Sequence, residues 1–316
     1  MVKVTTREVK GKTYYYLAKN IRIGKKVKTF TQYFGLNKPA KSDLKKLESK
    51  LNLKIEKFYV GELLLPNTEF IDIKTAKSIE RIRQETQNFL SKLTAKQKKC
   101  WVEQEREKFI TNTNAIEGST LTLDETHRIL KLKERLGDER ERLEVLNMEK
   151  CLEYYDKMIE KNRELDEGLI LELHCILLNK IPDYDKYKGI WRPVDVYIKS
   201  SKFDFPRHQF VPSLMKKTLE WYKENKENVH PVELAAKFHT KFTTIHPFAD
   251  GNGRIARLLM NYILQQQGCP FTNIPVKKRN PYFDTQEKGH SENYKEFILF
   301  LAEQIKENYD EIKKRK

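Results

Sequence analysis

Residues 244–257, TIHPFADGNGRIAR, place an imidazole, a carboxylate, a Gly-Asn-Gly turn and two guanidinium groups within fourteen positions. His246, neutral near pH 7, can take a proton from an incoming hydroxyl. Asp250 is a hard oxygen ligand of the kind that suits Mg²⁺, and Mg²⁺ bridges and neutralises phosphate oxygens. Gly251, Asn252 and Gly253 open an apolar-periodic run. There a helix start leaves N–H groups unpaired and positively polarised, and glycines let an anion reach the backbone. Arg254, Arg257 and Asn261 form the row opposite Ile255, Leu258, Leu259, Tyr262 and Ile263, so both cations leave the first turns of that helix on one side. The set describes a polyphosphate held beside a base, which is the requirement for nucleotidyl or phosphoryl transfer to a hydroxyl. A single histidine in such a turn is usually structural, and GNGR alone is usually a turn. Eight fixed positions together, however, have a chance occurrence on the order of 10⁻¹⁰ at one start point by average residue usage.

The flanking pattern supplies the elements that must hold these groups. Pro231 opens a helix whose Leu234, Ala235, Phe238, Phe242 and Ile245 mark one apolar face, so the chain reaches His246 from a buried element. Apolar spacing predicts further helices from about 74 to 93, from Ala95 to about Ile110, and over 144–163, 166–179, 212–225, 231–245, 253–267 and 291–310. TNTNAIEGSTLTLDET, rich in Thr and Asn, reads as an interruption, after which Thr122 and Glu125 form a capping box. Alternation in GIWRPVDVYIKSSKFDFPRHQFVP predicts a β-hairpin.

The first fifty residues read differently. VKVTTREV, KTYYYLAKNIRI and KKVKTFTQYF are separated by Lys10-Gly11 and Gly24-Lys25 and predict a three-stranded antiparallel meander, followed by a short helix over 41–53. They hold fourteen Lys/Arg against three acids, hence +11 of the net +16. That balance suits nucleic acid or an acidic partner, and equally a lysine-rich solvated surface. The meander resembles, in composition, the arm-type DNA-binding sheets at the front of some integrases. The expected division is a basic β-rich domain over 1–55, a helical region over 56–165 and a catalytic core over 166–316. No run approaches the roughly 20 apolar residues of a membrane span, and the four scattered cysteines read as reduced thiols rather than a zinc or disulfide framework. The expected location is the cytoplasm, with no membrane partner.

The opening stretch resembles the Fic family signature, His-Pro-Phe-x-Asp/Glu-Gly-Asn-Gly-Arg-x-x-Arg, without departure, and the likeness extends over roughly residues 105–305. It implies a mainly α Fic-fold bundle with a β-hairpin flap at about 194–206, here preceded by the small antiparallel sheet. The flap would pin a target segment by strand-like pairing. The implied activity is transfer of AMP from ATP to a Tyr, Thr or Ser hydroxyl of a target protein. By the same resemblance His246 is the base, Asp250 holds Mg²⁺, Gly251 to Gly253 cradle phosphates, Arg254 and Arg257 bind them, and Phe248 anchors the loop inward. His174, His239 and GIWR receive scaffold roles. Gly253 stands where Doc-type kinases carry Lys, which favours nucleotidyl over phosphoryl transfer. Tyr282-Phe283, a pair that is Tyr-Tyr in many relatives, is implied to lie near the adenine, and the departure leaves UTP and GTP open as alternatives to ATP.

TNAIEG, Thr113 to Gly118, resembles the family's inhibitory motif Ser/Thr-x-x-x-Glu-Gly/Asn. Glu117 paired with Arg257 would occupy donors meant for the γ-phosphate and repel that phosphate. Removal of AMP, or metal-assisted phosphodiester hydrolysis with His246 and Asp250 as ligands, is the second reading. A DNA-binding regulator acting through residues 1–50 is the third, and a homodimer is kept among the partners.

Overall fold

The computed structural model describes residues 2–23, 26–61, 68–197 and 203–314. The chain divides into two compact units, Met1–Leu65 and Pro66–Lys316.

In the first unit, β1 (Val2–Val9), β2 (Lys12–Ile23) and β3 (Lys26–Gly35) form an antiparallel sheet in that order. The pairing follows from the turns. Lys10 and Gly11, both at positive φ, bring Val9 opposite Lys12, and Ile23 pairs with Lys26. A register shift at Tyr15/Tyr16 marks a bulge in β2. Because side chains alternate between faces, Leu17 and Phe30 fall on one side, where α1 (Lys41–Gly61) covers them with Leu47, Leu51 and Ile55. Each such side chain, fully buried, stabilises the unit by about 1.5–3 kcal/mol.

The second unit is helical: α2 (Ile73–Lys92), α3 (Ala95–Glu117), the short α4 (Leu123–His127), α5 (Glu139–Glu160), α6 (Glu167–Leu177), α7 (Val211–Asn225), α8 (Pro231–Ile245), α9 (Asn252–Gln266), α10 (Arg279–Gly289) and α11 (Lys295–Lys314). Helices α8 and α9 are buried along nearly their whole length and form the centre of the bundle. Glu233, fully buried on α8, accepts backbone N–H bonds from Glu69, Phe70 and Ile71 at 2.8–3.0 Å, which satisfies its charge where water is excluded.

Three expectations need correction. Helix α3 does not stop near Ile110 but continues through the Thr/Asn-rich stretch to Glu117. Thr111 Oγ and Asn112 Nδ2 donate to the carbonyls one turn back, Glu107 and Lys108, so residues that favour turns are absorbed into the helix. Gly118, at φ 113°, then ends it with N–H bonds to Ala115 and Asn114 carbonyls. Helix α10 was not foreseen, because Pro281, polar residues and a terminal glycine weaken its apolar pattern. The tip of the expected hairpin, 198–202, lies outside the described residues, and its described flanks are irregular backbone rather than strand.

Candidate active site

The loop between α8 and α9 carries the signature. Phe248 is fully buried, stacked on His174 at 3.5 Å between ring centroids and on Trp191 at 5.0 Å. Asn252 closes the loop from the other end, accepting from Phe248 N–H at 2.9 Å and donating to Phe248 carbonyl at 2.8 Å. Its side chain therefore shapes the loop rather than lining it. Gly251 adopts φ 82°, and a Cβ there would lie 2.9 Å from Leu177 Cδ2, so both conformation and space demand glycine. His174 reads the loop from α6: its Nδ1 accepts Gly189 N–H at 3.0 Å, which leaves the proton on Nε2 to donate to Asp250 carbonyl at 3.1 Å.

His246 ends α8 in the left-handed region, φ 51° and ψ 60°, a conformation that costs a non-glycine residue energy and that the surrounding contacts impose. Its Nδ1 lies 3.3 Å from Thr243 carbonyl. A carbonyl only accepts, so the neutral ring carries its proton on Nδ1 and keeps a lone pair on Nε2. Burial lowers the imidazole pKa to about 4, with the Thr243 carbonyl opposing and Arg192 assisting. His230 and His239 are likewise pushed down, to about 4 and about 3, chiefly by burial. The unfolded chain therefore binds more protons than the folded one between pH 6.5 and about 4, and stability falls as pH drops through that window. Urea unfolding midpoints are expected to be level above pH 7 and to decrease steadily from about pH 6.5 to 4; a flat profile there would show that these imidazoles are not held neutral.

Arg192, assigned only a scaffold role from the sequence, is the residue that fixes His246. Its buried guanidinium donates from Nε to His246 carbonyl at 2.8 Å, from Nη1 to Val194 carbonyl at 2.9 Å and from Nη2 to Pro206 carbonyl. It ties the histidine to both described ends of the segment expected to be the flap. Arg192→Leu leaves those carbonyls without donors and is expected to destabilise the unit by about 3 kcal/mol. A lowered urea midpoint measures this, and an unchanged midpoint would mean that water replaces the guanidinium without cost.

The cationic side is already charge-paired. Arg254, buried, has Nη1 3.0 Å from Glu144 Oε1 and Nη2 3.3 Å from Asp250. Asp250 also meets Arg140 at 2.9 Å, and its Oδ1 accepts Gly251 N–H at 2.6 Å. Arg140 and Glu144 sit one helical turn apart on α5, a spacing visible in the sequence but without meaning until α5 is placed against α9. Arg257 donates from Nε to Thr113 Oγ1 at 2.8 Å, from Nη2 to Thr113 carbonyl at 3.0 Å and from Nη2 to Glu117 Oε1 at 2.7 Å. Burial is the largest single influence and disfavours its charge, but the Glu117 carboxylate and the Tyr282 hydroxyl together outweigh it and raise the guanidinium pKa. Gly253 lies beneath the same carboxylate: a Cβ there would be 2.2 Å from Glu117 Oε1 and 3.1 Å from Arg257 Nη1.

The aromatic pair splits. Tyr282 is interior, its hydroxyl 2.9 Å from His239 Nε2 and 3.4 Å from Arg257 Nη1. Phe283 is half-buried under the Arg279 guanidinium at 4.8 Å. Among the described residues no group of three or more His, Cys, Asp or Glu forms a metal site. Asp250 alone still fits Mg²⁺, which is commonly held by one or two carboxylates together with substrate phosphates.

This helical architecture with a Gly-Asn-Gly turn at the start of a buried helix defines the class. Residues 164–264 match the sequence model of the Fic/DOC family. Over 242 residues the chain is 29% identical to a protein adenylyltransferase Fic of Nematostella vectensis, covering 72% of this chain and 56% of that protein. It is 31% identical over 204 residues to the corresponding protein of Drosophila ananassae, 64% of this chain and 40% of that one. The chain thus spans about half the length of these relatives, or less. A Fic domain-containing signaling protein from Bacteroides thetaiotaomicron superposes with a TM-score of 0.65 at 26% identity, over 75% of this chain and 94% of that one. A Fic family protein from Desulfovibrio desulfuricans gives 0.64 at 26% identity, over 80% and 77%. Glu117, Tyr282 and Phe283 lie outside the segment matched by the family model. No helix among the described residues is long and apolar enough to cross a membrane.

Proposed function

We propose that the chain is a protein adenylyltransferase that moves AMP from ATP to a Tyr, Thr or Ser hydroxyl of a target protein and is restrained by its own Glu117. The observation that carries this reading is the Arg257–Glu117 pair at 2.7 Å over Gly253, beside an imidazole whose Nε2 lone pair is free of the Thr243 contact. In the reaction, the target oxygen attacks the α-phosphorus as the bond to the β-phosphate breaks. The hydroxyl proton passes to His246 Nε2, and pyrophosphate leaves. The N–H groups at the start of α9 and the guanidinium groups of Arg254 and Arg257 meet charge on the phosphates. Asp250 would hold Mg²⁺, which supplies charge neutralisation to the polyphosphate. Arg192 keeps His246 in its strained conformation, so the base is placed before the target arrives.

Glu117 opposes this chemistry by geometry. While its carboxylate holds Arg257 and lies against Gly253, phosphate oxygens meet a negative group where they need a donor. Displacement of Glu117 frees Arg257 for the terminal phosphate. The Glu117→Gly protein incubated with Mg²⁺ and ATP labelled at either the α- or the γ-phosphate tests the reaction. AMP transfer places only the α label on protein and releases pyrophosphate. Protein labelled only from γ would identify phosphoryl transfer, and loss of AMP from a pre-modified target without ATP would identify the reverse hydrolysis. ATP is the nucleotide proposed, and cytoplasmic residence and pairing of two copies are compatible additions that the transfer itself does not require.

A further inference from the structure

The N-terminal unit has two unlike sheet faces. One carries Leu17 and Phe30 and is covered by α1. Register places Thr5 beside Tyr16, Tyr16 beside Tyr33, Arg7 beside Tyr14, Lys3 beside Ala18, Ala18 beside Thr31 and Asn20 beside Thr29 on the other. Among the described residues of the unit no helix packs over that second face: Ala18 at its centre is buried, but Tyr33 is 48% exposed, and Lys3, Thr5, Arg7, Lys12, Asn20, Thr29 and β1 as a whole lie open apart from Val2. Tyr33 contacts both Tyr14 and Tyr16 at its middle, with ring centroids 6.2 Å apart for Tyr14 and Tyr33 and 5.4 Å for Tyr16 and Tyr33, and the Arg7 guanidinium lies 5.3 Å over Tyr16.

The charge on these strands is one-sided. Residues 1–35 contain nine Lys/Arg and a single acid, Glu8, and no aspartate. A lysine surface that serves only solubility usually intersperses both signs. Helix α1 does so, with Asp43 and Glu48 among its lysines, whereas the sheet does not.

We infer that the open face of this sheet docks in the major groove of duplex DNA. The outer strands of a three-stranded sheet stand about 10 Å apart, which the roughly 12 Å width of the B-form major groove admits. Thr, Asn and Arg side chains on strands in that groove reach base edges, and lysines at the rim meet phosphates. The major groove of an RNA duplex is deep and narrow and refuses the same sheet. This docking is independent of the transfer chemistry in the second unit and stands or falls without it.

The test is fluorescence anisotropy of a labelled mixed-sequence DNA duplex of about two helical turns with the full-length chain. With two to four phosphate contacts, affinity is expected to fall about 10- to 150-fold between about 50 and 200 mM salt. The double variant Arg7→Glu/Lys12→Glu should bind at least tenfold more weakly and with a shallower salt slope. Lys45→Glu/Lys46→Glu on exposed α1, and His246→Ala, should bind within about twofold of the parent. Circular dichroism of each variant must match the parent. Absence of binding at low salt would overturn the inference. So would equal affinity for an RNA duplex or for polyglutamate, or a loss in the α1 variant as large as in the sheet variant.

Discussion

Glu117→Gly is expected to raise the rate of AMP transfer by about 10- to 100-fold. Hydrogen bonds to a charged partner contribute about 1.5–3 kcal/mol, and every 1.4 kcal/mol is tenfold. The substitution removes the carboxylate that engages Arg257 at 2.7 Å and clears the space above Gly253, where any added atom meets Glu117 first. Thr113 still holds Arg257 through its hydroxyl and its carbonyl, so the guanidinium stays in place to receive phosphate instead of collapsing into the gap. Glu117 also sits at the last turn of α3, next to the Gly118 cap, where loss of the side chain disturbs little packing. Labelled-ATP incorporation by parent and variant at equal concentration measures the effect. Equal rates would mean that the pair does not restrain transfer. Glu117→Gln is the informative companion: it keeps size and one acceptor but loses the charge, so an intermediate rate is expected.

His246→Ala in the Glu117→Gly background is expected to reduce transfer by about 10²–10⁴-fold, the usual contribution of a positioned general base. The fold should survive. Arg192 bonds the backbone carbonyl of residue 246, which alanine retains, and the side chain itself makes one hydrogen bond, to Thr243, and an aromatic contact with Phe205 at 4.7 Å. His246 already bears the cost of the left-handed backbone, so alanine adds little strain there; a small fall in melting temperature is consistent and a failure to fold is not. Near-parental transfer in the double variant would remove the imidazole from the chemistry.

The parts of the molecule legible in the sequence are those fixed by local periodicity. The meander appeared nearly residue for residue, because turn residues separate runs of Tyr, Val, Thr and Ile that alternate between a covered and an open face. Helices α8 and α9 and the turn between them were equally clear, since apolar stripes and Gly-Asn-Gly stand side by side. The partners were not. Arg140 and Glu144 acquire meaning only when α5 packs near α9, and Arg192 only when its guanidinium reaches the carbonyl of a residue 54 positions away. The end of α3 was misread because its Thr and Asn side chains, usual turn formers, bond back to their own helix. The sequence pairs Tyr282 with Phe283, but only the fold shows that Tyr282 fills the interior between His239 and Arg257 and leaves Phe283 as the more accessible ring.

In the proposed reaction a helix start, two arginines and a poised imidazole deliver AMP to a hydroxyl once Glu117 is removed. Tandem mass spectrometry of the Glu117→Gly protein after incubation with Mg²⁺, ATP and cell lysate addresses it most directly. Tyr, Thr or Ser residues heavier by AMP are expected, on the chain itself or on a target, and none when His246 is also alanine. An unmodified proteome under saturating ATP, or the same modification persisting without His246, would contradict it.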